Sequence, residues 1–155
     1  MALKVITAGV VILASALPAA GAARIYCAAS DPVVKISIES GFAARDGKRL
    51  IHFRGIADVL DDKSPAVFQN LKLNSTMLKQ VWMDVKELRF QIYTDTREAN
   101  LLETFELSVV TKASAGEPDH FTGRYQLTVG RAADNKNAPR DVLVSHEAAI
   151  FCDVK

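Results

Sequence analysis

Most of the chain from Val33 onward alternates apolar and polar residues, the period of a strand with one buried face. In VVKISIES, Val34, Ile36 and Ile38 fall on one side and Lys35, Ser37 and Glu39 on the other. ARDGKR follows, with Asp46-Gly47 as a turn signal, and LIHFRGIA resumes the alternation, so a hairpin is expected across 33–57. ADVLDDKSP reads as a loop ending at Pro65, and VFQNLKL as another strand. KELRFQIYTDT sets Leu88, Phe90 and Ile92 against Glu87, Arg89 and Gln91. ETFELSVVT places Phe105, Leu107 and Val109 inward, and HFTGRYQLTVG does the same with Tyr125, Leu127 and Val129. EAAIFCDV closes the chain, after polar loops near 112–120 and 131–141.

One stretch departs from this period. NSTMLKQVWMDV spaces Met77, Leu78, Val81, Trp82 and Val85 by threes and fours, with Asn74 or Ser75 placed as an N-cap. This predicts a short helix at 76–83, the competing reading being a strand that turns at Met83-Asp84. Trp82, the sole tryptophan, then has two readings: a plug where that helix covers one end of the fold, or an exposed ring on which a ligand stacks. The apolar neighbours favour the plug.

About eight short strands and one short helix predict an all-β fold. An antiparallel β-sandwich is the first architecture and a small up-and-down β-barrel the alternative. Clean alternation argues against a parallel sheet, whose strands are apolar on both faces. The expected core is Val34, Ile36, Ile38, Phe53, Leu88, Phe90, Ile92, Phe105, Leu107, Val109, Tyr125, Leu127 and Val129.

The N-terminus changes the picture. Lys4, the uncharged run VITAGVVILASAL and the small residues PAAGAA have the three-part form of a secretory signal peptide, here residues 1–23. The apolar run is shorter than the roughly 20 residues a spanning helix needs. Ile25 and Tyr26 are too bulky to precede a lipidated cysteine, so no stable membrane anchor is expected. Residues 24–155 suit a single domain with one core. Removing Lys4 from the 19 basic residues balances the 18 acidic ones, and no basic patch calls for nucleic acid. A periplasmic or secreted location follows, where thiols oxidise. Cys27 and Cys152 are the only cysteines, and each lies in a short strand-like segment at one end of the chain. They are expected to form a disulfide. A C-x-x-C redox pair and a four-ligand zinc pattern are both lacking.

Candidate chemistry is sparse. His52, His120 and His146 lie far apart and show no short metal-ligand spacing. G-x-S-x-G and a Gly-rich phosphate loop are absent. Asp58, Asp61 and Asp62 lie close together but lack the spacing of a calcium loop. No cofactor is called for. The leading expectation is an exported non-enzymatic binding or interaction module for a protein or small-molecule partner. The alternatives are a small secreted hydrolase built from dispersed residues, with the three histidines as first suspects, and a barrel carrying an apolar ligand in its interior.

Overall fold

A computed structural model describes residues 23–43, 46–133 and 139–155. The expected leader lies outside them apart from Ala23, as do 134–138 of the 131–141 loop and the two residues that link the first hairpin. Nine strands make one antiparallel sheet: β1 Arg24–Ser30, β2 Val34–Ala43, β3 Asp46–Val59, β4 Leu71–Asn74, β5 Leu78–Met83, β6 Glu87–Glu98, β7 Leu101–Ser114, β8 Glu117–Ala133 and β9 Arg140–Val154. The single helical element among the described residues is a 3-10 turn, Ala66–Phe68. The all-β expectation holds. The layers of a sandwich are not separate, however, for all nine strands share one sheet in the order β4-β3-β2-β1-β9-β8-β7-β6-β5.

Every neighbour in that order is antiparallel. Directions therefore alternate, and β4 and β5, at the two ends, run the same way. They are two halves of one interrupted strand. Its first half pairs with β3 (Arg54 with Asn74) and its second with β6 (Val81 with Phe90). Counted so, the sheet is an eight-strand meander whose last strand returns beside its first, and an even number lets that final pair be antiparallel. The sheet curls until its ends meet. Phe53 of β3 packs edge-on against Phe90 of β6, ring centroids 6.1 Å apart, and the Ser75 hydroxyl donates to the Phe53 carbonyl at 3.4 Å. This nearly closed sheet is the barrel architecture.

The segment read as a helix at 76–83 is instead β5. A bulge between Leu78 and Gln80 inserts one residue into the strand. Leu78 and Val81 then face the same side at a spacing of three, which imitates a helical period. Asn74, expected as an N-cap, makes a turn: its Oδ1 accepts from the Thr76 N–H at 2.9 Å and the Thr76 hydroxyl at 2.6 Å. The same side-chain chemistry serves a turn as readily as a helix start.

All thirteen expected core residues are buried. They fill the interior together with Phe121, Ile150 and Val144, and Phe68 of the 3-10 turn folds over one end against Phe105, centroids 5.7 Å apart. Outward positions carry Lys35, Glu39, Arg54, Arg89, Lys112, Arg124 and Glu147, the reverse of the apolar-out pattern of a membrane barrel. Among the described residues, no helix is long and apolar enough to cross a membrane.

Cys27 and Cys152 sit directly opposite each other where β1 meets β9, and they are bonded (Sγ–Sγ 2.03 Å, Cα–Cα 4.0 Å). Both point inward and are buried. Next to them, Arg24 and Lys155 exchange both backbone hydrogen bonds, at 2.7 and 2.8 Å. The register of β1 against β9 therefore makes the bridge: inward parity brings two small side chains face to face.

Candidate functional site

The three histidines do not converge. His52 is exposed on β3, at a bulge opposite Ser40, with φ of 54°. His120 faces outward at the start of β8, and its Nδ1 donates to Asp153 Oδ1 at 2.6 Å while its ring lies over Phe151. That pair lines an open groove of about 430 Å³ with Glu117 and Asp119. His146 points inward from β9, beside Tyr125, and its Nε2 donates to Asp31 Oδ1 at 3.1 Å.

Asp31 gathers this last group. Its carboxylate also accepts from the Tyr125 hydroxyl and from the N–H groups of Val33 (2.8 Å) and Val34 (3.1 Å). The β1–β2 turn is thus fastened to β8 and β9 by one side chain. Burial alone raises the Asp31 carboxyl, but the Tyr125 hydroxyl, the two amides and nearby His146 outweigh it and hold the group below its ordinary value. Tyr125 is pushed well above the usual phenol range by its own burial and by its bond to the Asp31 carboxylate. Both shifts keep a neutral phenol donating to an ionised carboxylate. The hydrogen bonds that the structure gives the Asp31 carboxylate hold the β1–β2 turn against β8 and β9.

Of the aspartates expected in one loop, Asp58 lies on β3 and Asp61 beyond its end, and each is engaged singly. Asp58 Oδ1 accepts from the Asn70 N–H at 2.8 Å and Asp61 Oδ1 from the Lys63 N–H at 2.9 Å. Among the described residues no three acidic, histidine or cysteine side chains are grouped so as to hold a metal. The 112–120 segment, expected as a long loop, is a hairpin turned by Ala115-Gly116, with Gly116 at φ of 80°.

Trp82 gives the largest correction. It is 61% exposed, so the plug reading fails. On β5 it is opposite Arg89 of β6, which is opposite Val110 of β7, and all three face outward in one cross-strand row. The next row holds Gln80, Gln91 and Ser108. These six residues line an open groove of about 670 Å³ across three strands. Arg89 is paired with Glu87 at 2.6 Å, Gln91 donates to Glu106 at 2.7 Å, and the Lys79 ammonium at the rim donates to the Thr76 carbonyl at 2.8 Å. The groove presents an exposed indole, a neutralised guanidinium, two amides, a hydroxyl and the Val110 side chain on hydrogen-bonded strands. The signal in the sequence was the alternation itself. Carried backward from Met83 with a strand period, it puts Trp82 on the polar face beside Gln80.

A second outer trough, about 510 Å³, is of opposite character. Its floor is Ala28 and Ser37, and its walls are Ile56 and Phe151. These grooves lie on the outside of the sheet, while the inward faces are occupied by packed side chains. No protein-family model, no curated protein and no solved structure matches the chain.

Proposed function

We propose that the chain is an exported, non-enzymatic binding module that works from its outer surface at the Trp82 groove. The observation that carries this is the exposure of its one tryptophan, 61% free, over an open groove lined by Gln80, Arg89, Gln91, Ser108 and Val110, while the inward side chains are buried. A single exposed ring is common on any surface, but tryptophan is enriched where contact energy concentrates, and this one lies over a groove with convergent polar groups. A carrier would need room inside, and the inward side chains of Tyr125, Phe105, Leu127 and Phe68 leave almost none of their own surface free. The dispersed hydrolase site built on the three histidines would bring two of them into one cleft with a carboxylate, and His52, His120 and His146 stand apart.

Export is supported by the leader pattern and by the buried disulfide, which suits an oxidising compartment. Charge on the outward faces supports a water-facing module rather than a membrane-embedded one.

The test is capture from a cell-envelope extract on the immobilised, disulfide-intact chain of residues 24–155, scored for protein and for carbohydrate. Material retained by the wild type and by His120→Ala, and lost with Trp82→Ala, supports the proposal. Equal retention by Trp82→Ala contradicts it.

A further inference from the structure

We infer that the Trp82 groove takes a neutral oligosaccharide, with one sugar ring stacked on the indole; this rests on the groove being the binding surface proposed above. The ring supplies the first argument. An aromatic face is electron-rich and its edge electron-poor. One face of a pyranose is a set of C–H groups with slight positive character, so ring on ring buries apolar surface from both and leaves the sugar hydroxyls around the perimeter. Trp82 stands outward from β5 with that face available.

The perimeter supplies the second. A polyol needs donors and acceptors in mixture, and primary amides and hydroxyls carry both. Gln80, Gln91 and Ser108 occupy the row beside Trp82, on adjacent strands. With neighbouring strands about 4.8 Å apart, three strands present a span of about 10 Å, enough for more than one linked ring. The strands are hydrogen-bonded into the sheet, so the spacing exists before any ligand arrives and little ordering cost attaches to binding.

Charge and backbone exclude the competing ligands. Arg89 is neutralised by Glu87, which leaves Lys79 as the cation at the rim. A polyanion site needs clustered positive charge. An extended peptide adds to a sheet by pairing with an unpaired edge. Here β6 and β7 are paired on both sides, so the floor of the groove offers no free backbone, and a peptide would have to pair along the open edge of β5, beside the groove rather than in it. An apolar ligand would find a better surface in the Ala28–Ile56–Phe151 trough than among glutamines.

The experiment uses the disulfide-intact chain of residues 24–155 and the emission of Trp82, which has no other tryptophan to obscure it. Cellohexaose, maltohexaose and chitohexaose are titrated separately to about 10 mM, a concentration that saturates even a Kd of about 1 mM. Dextran sulfate is the charged counter-probe. The expected result is a saturable, salt-insensitive change with at least one neutral hexasaccharide. Calorimetry should show that binding lost in Trp82→Ala, weakened about fivefold in Gln91→Ala, the loss of one net hydrogen bond, and kept in His120→Ala. A silent titration with all three, or a response to dextran sulfate alone that salt abolishes, overturns the inference. If capture from the envelope extract still depends on Trp82, only the ligand class has fallen. If it does not, the surface itself has been misassigned.

Discussion

One carboxylate ties the β1–β2 turn to the last two strands of the chain. Asp31 accepts four hydrogen bonds, two from the adjacent amides of Val33 and Val34 in its own turn, one from Tyr125 on β8 and one from His146 on β9. Replacing Tyr125 by Phe removes a donor to an ionised group and should cost about 1.5–3 kcal/mol in urea unfolding near neutral pH. The pH dependence has two limbs. Asp31 titrates lower in the folded state than in the unfolded chain, so its contribution is complete above the unfolded value of about 3.9 and fades as acid reaches the folded value. Tyr125 titrates higher when folded, so its contribution is complete below about 10 and fades as pH climbs beyond. Asp31→Asn should flatten the acid limb and Tyr125→Phe the alkaline one, read from melting temperatures across pH. An unchanged acid limb in Asp31→Asn would remove the carboxylate from the account. None of this partnership was visible in the sequence, because the residues involved are separated by 94 and 115 positions.

Strand phase is the feature that the sequence carried best, and bulges are where it failed. The stretches 34–38 of β2, 88–92 of β6, 105–109 of β7 and 125–129 of β8 kept strict alternation, and every residue assigned to the core from them is buried. β5 broke phase at one inserted residue, and that insertion turned an exposed tryptophan into an apparent helix residue. Phe121 was missed although it is in phase with Tyr125, because Gly123 interrupts the apolar run between them. That glycine is required by close approach: a Cβ there would lie 2.1 Å from the Val110 carbonyl oxygen on β7. Gly55 is in the same position on β3, 2.3 Å from the Ser37 carbonyl oxygen. Gly123→Ala must push β7 and β8 apart and should destabilise by about 2–3 kcal/mol, the scale of overpacking in a filled core. Chemical denaturation of that variant is the check, and a neutral result would mean that the two strands are not held so closely.

For the whole molecule, the interrupted strand and the terminal disulfide are complementary. The sheet meets itself at the β4/β5 break without a continuous ladder, while its other junction, β1 with β9, is short, Arg24–Ala28 against Phe151–Lys155, and is bonded covalently. The bridge closes a loop with a sequence separation of 125. Its removal in a Cys27→Ser, Cys152→Ser double variant should cost about 4–5 kcal/mol in the chain-entropy picture. The two cysteines were legible from composition and position. Whether the strands form one curled sheet or two stacked ones was not, because both arrangements bury the same alternating faces.

The central claim, a filled sheet with its single indole standing outside, meets its most direct test in the light emitted by Trp82. The account predicts emission close to that of free tryptophan in water, quenched nearly as readily by acrylamide, and a Trp82→Ala variant within about 0.5 kcal/mol of wild-type stability. Blue-shifted emission shielded from acrylamide, with a loss of about 3–5 kcal/mol on truncation, would place the ring in the core and contradict it.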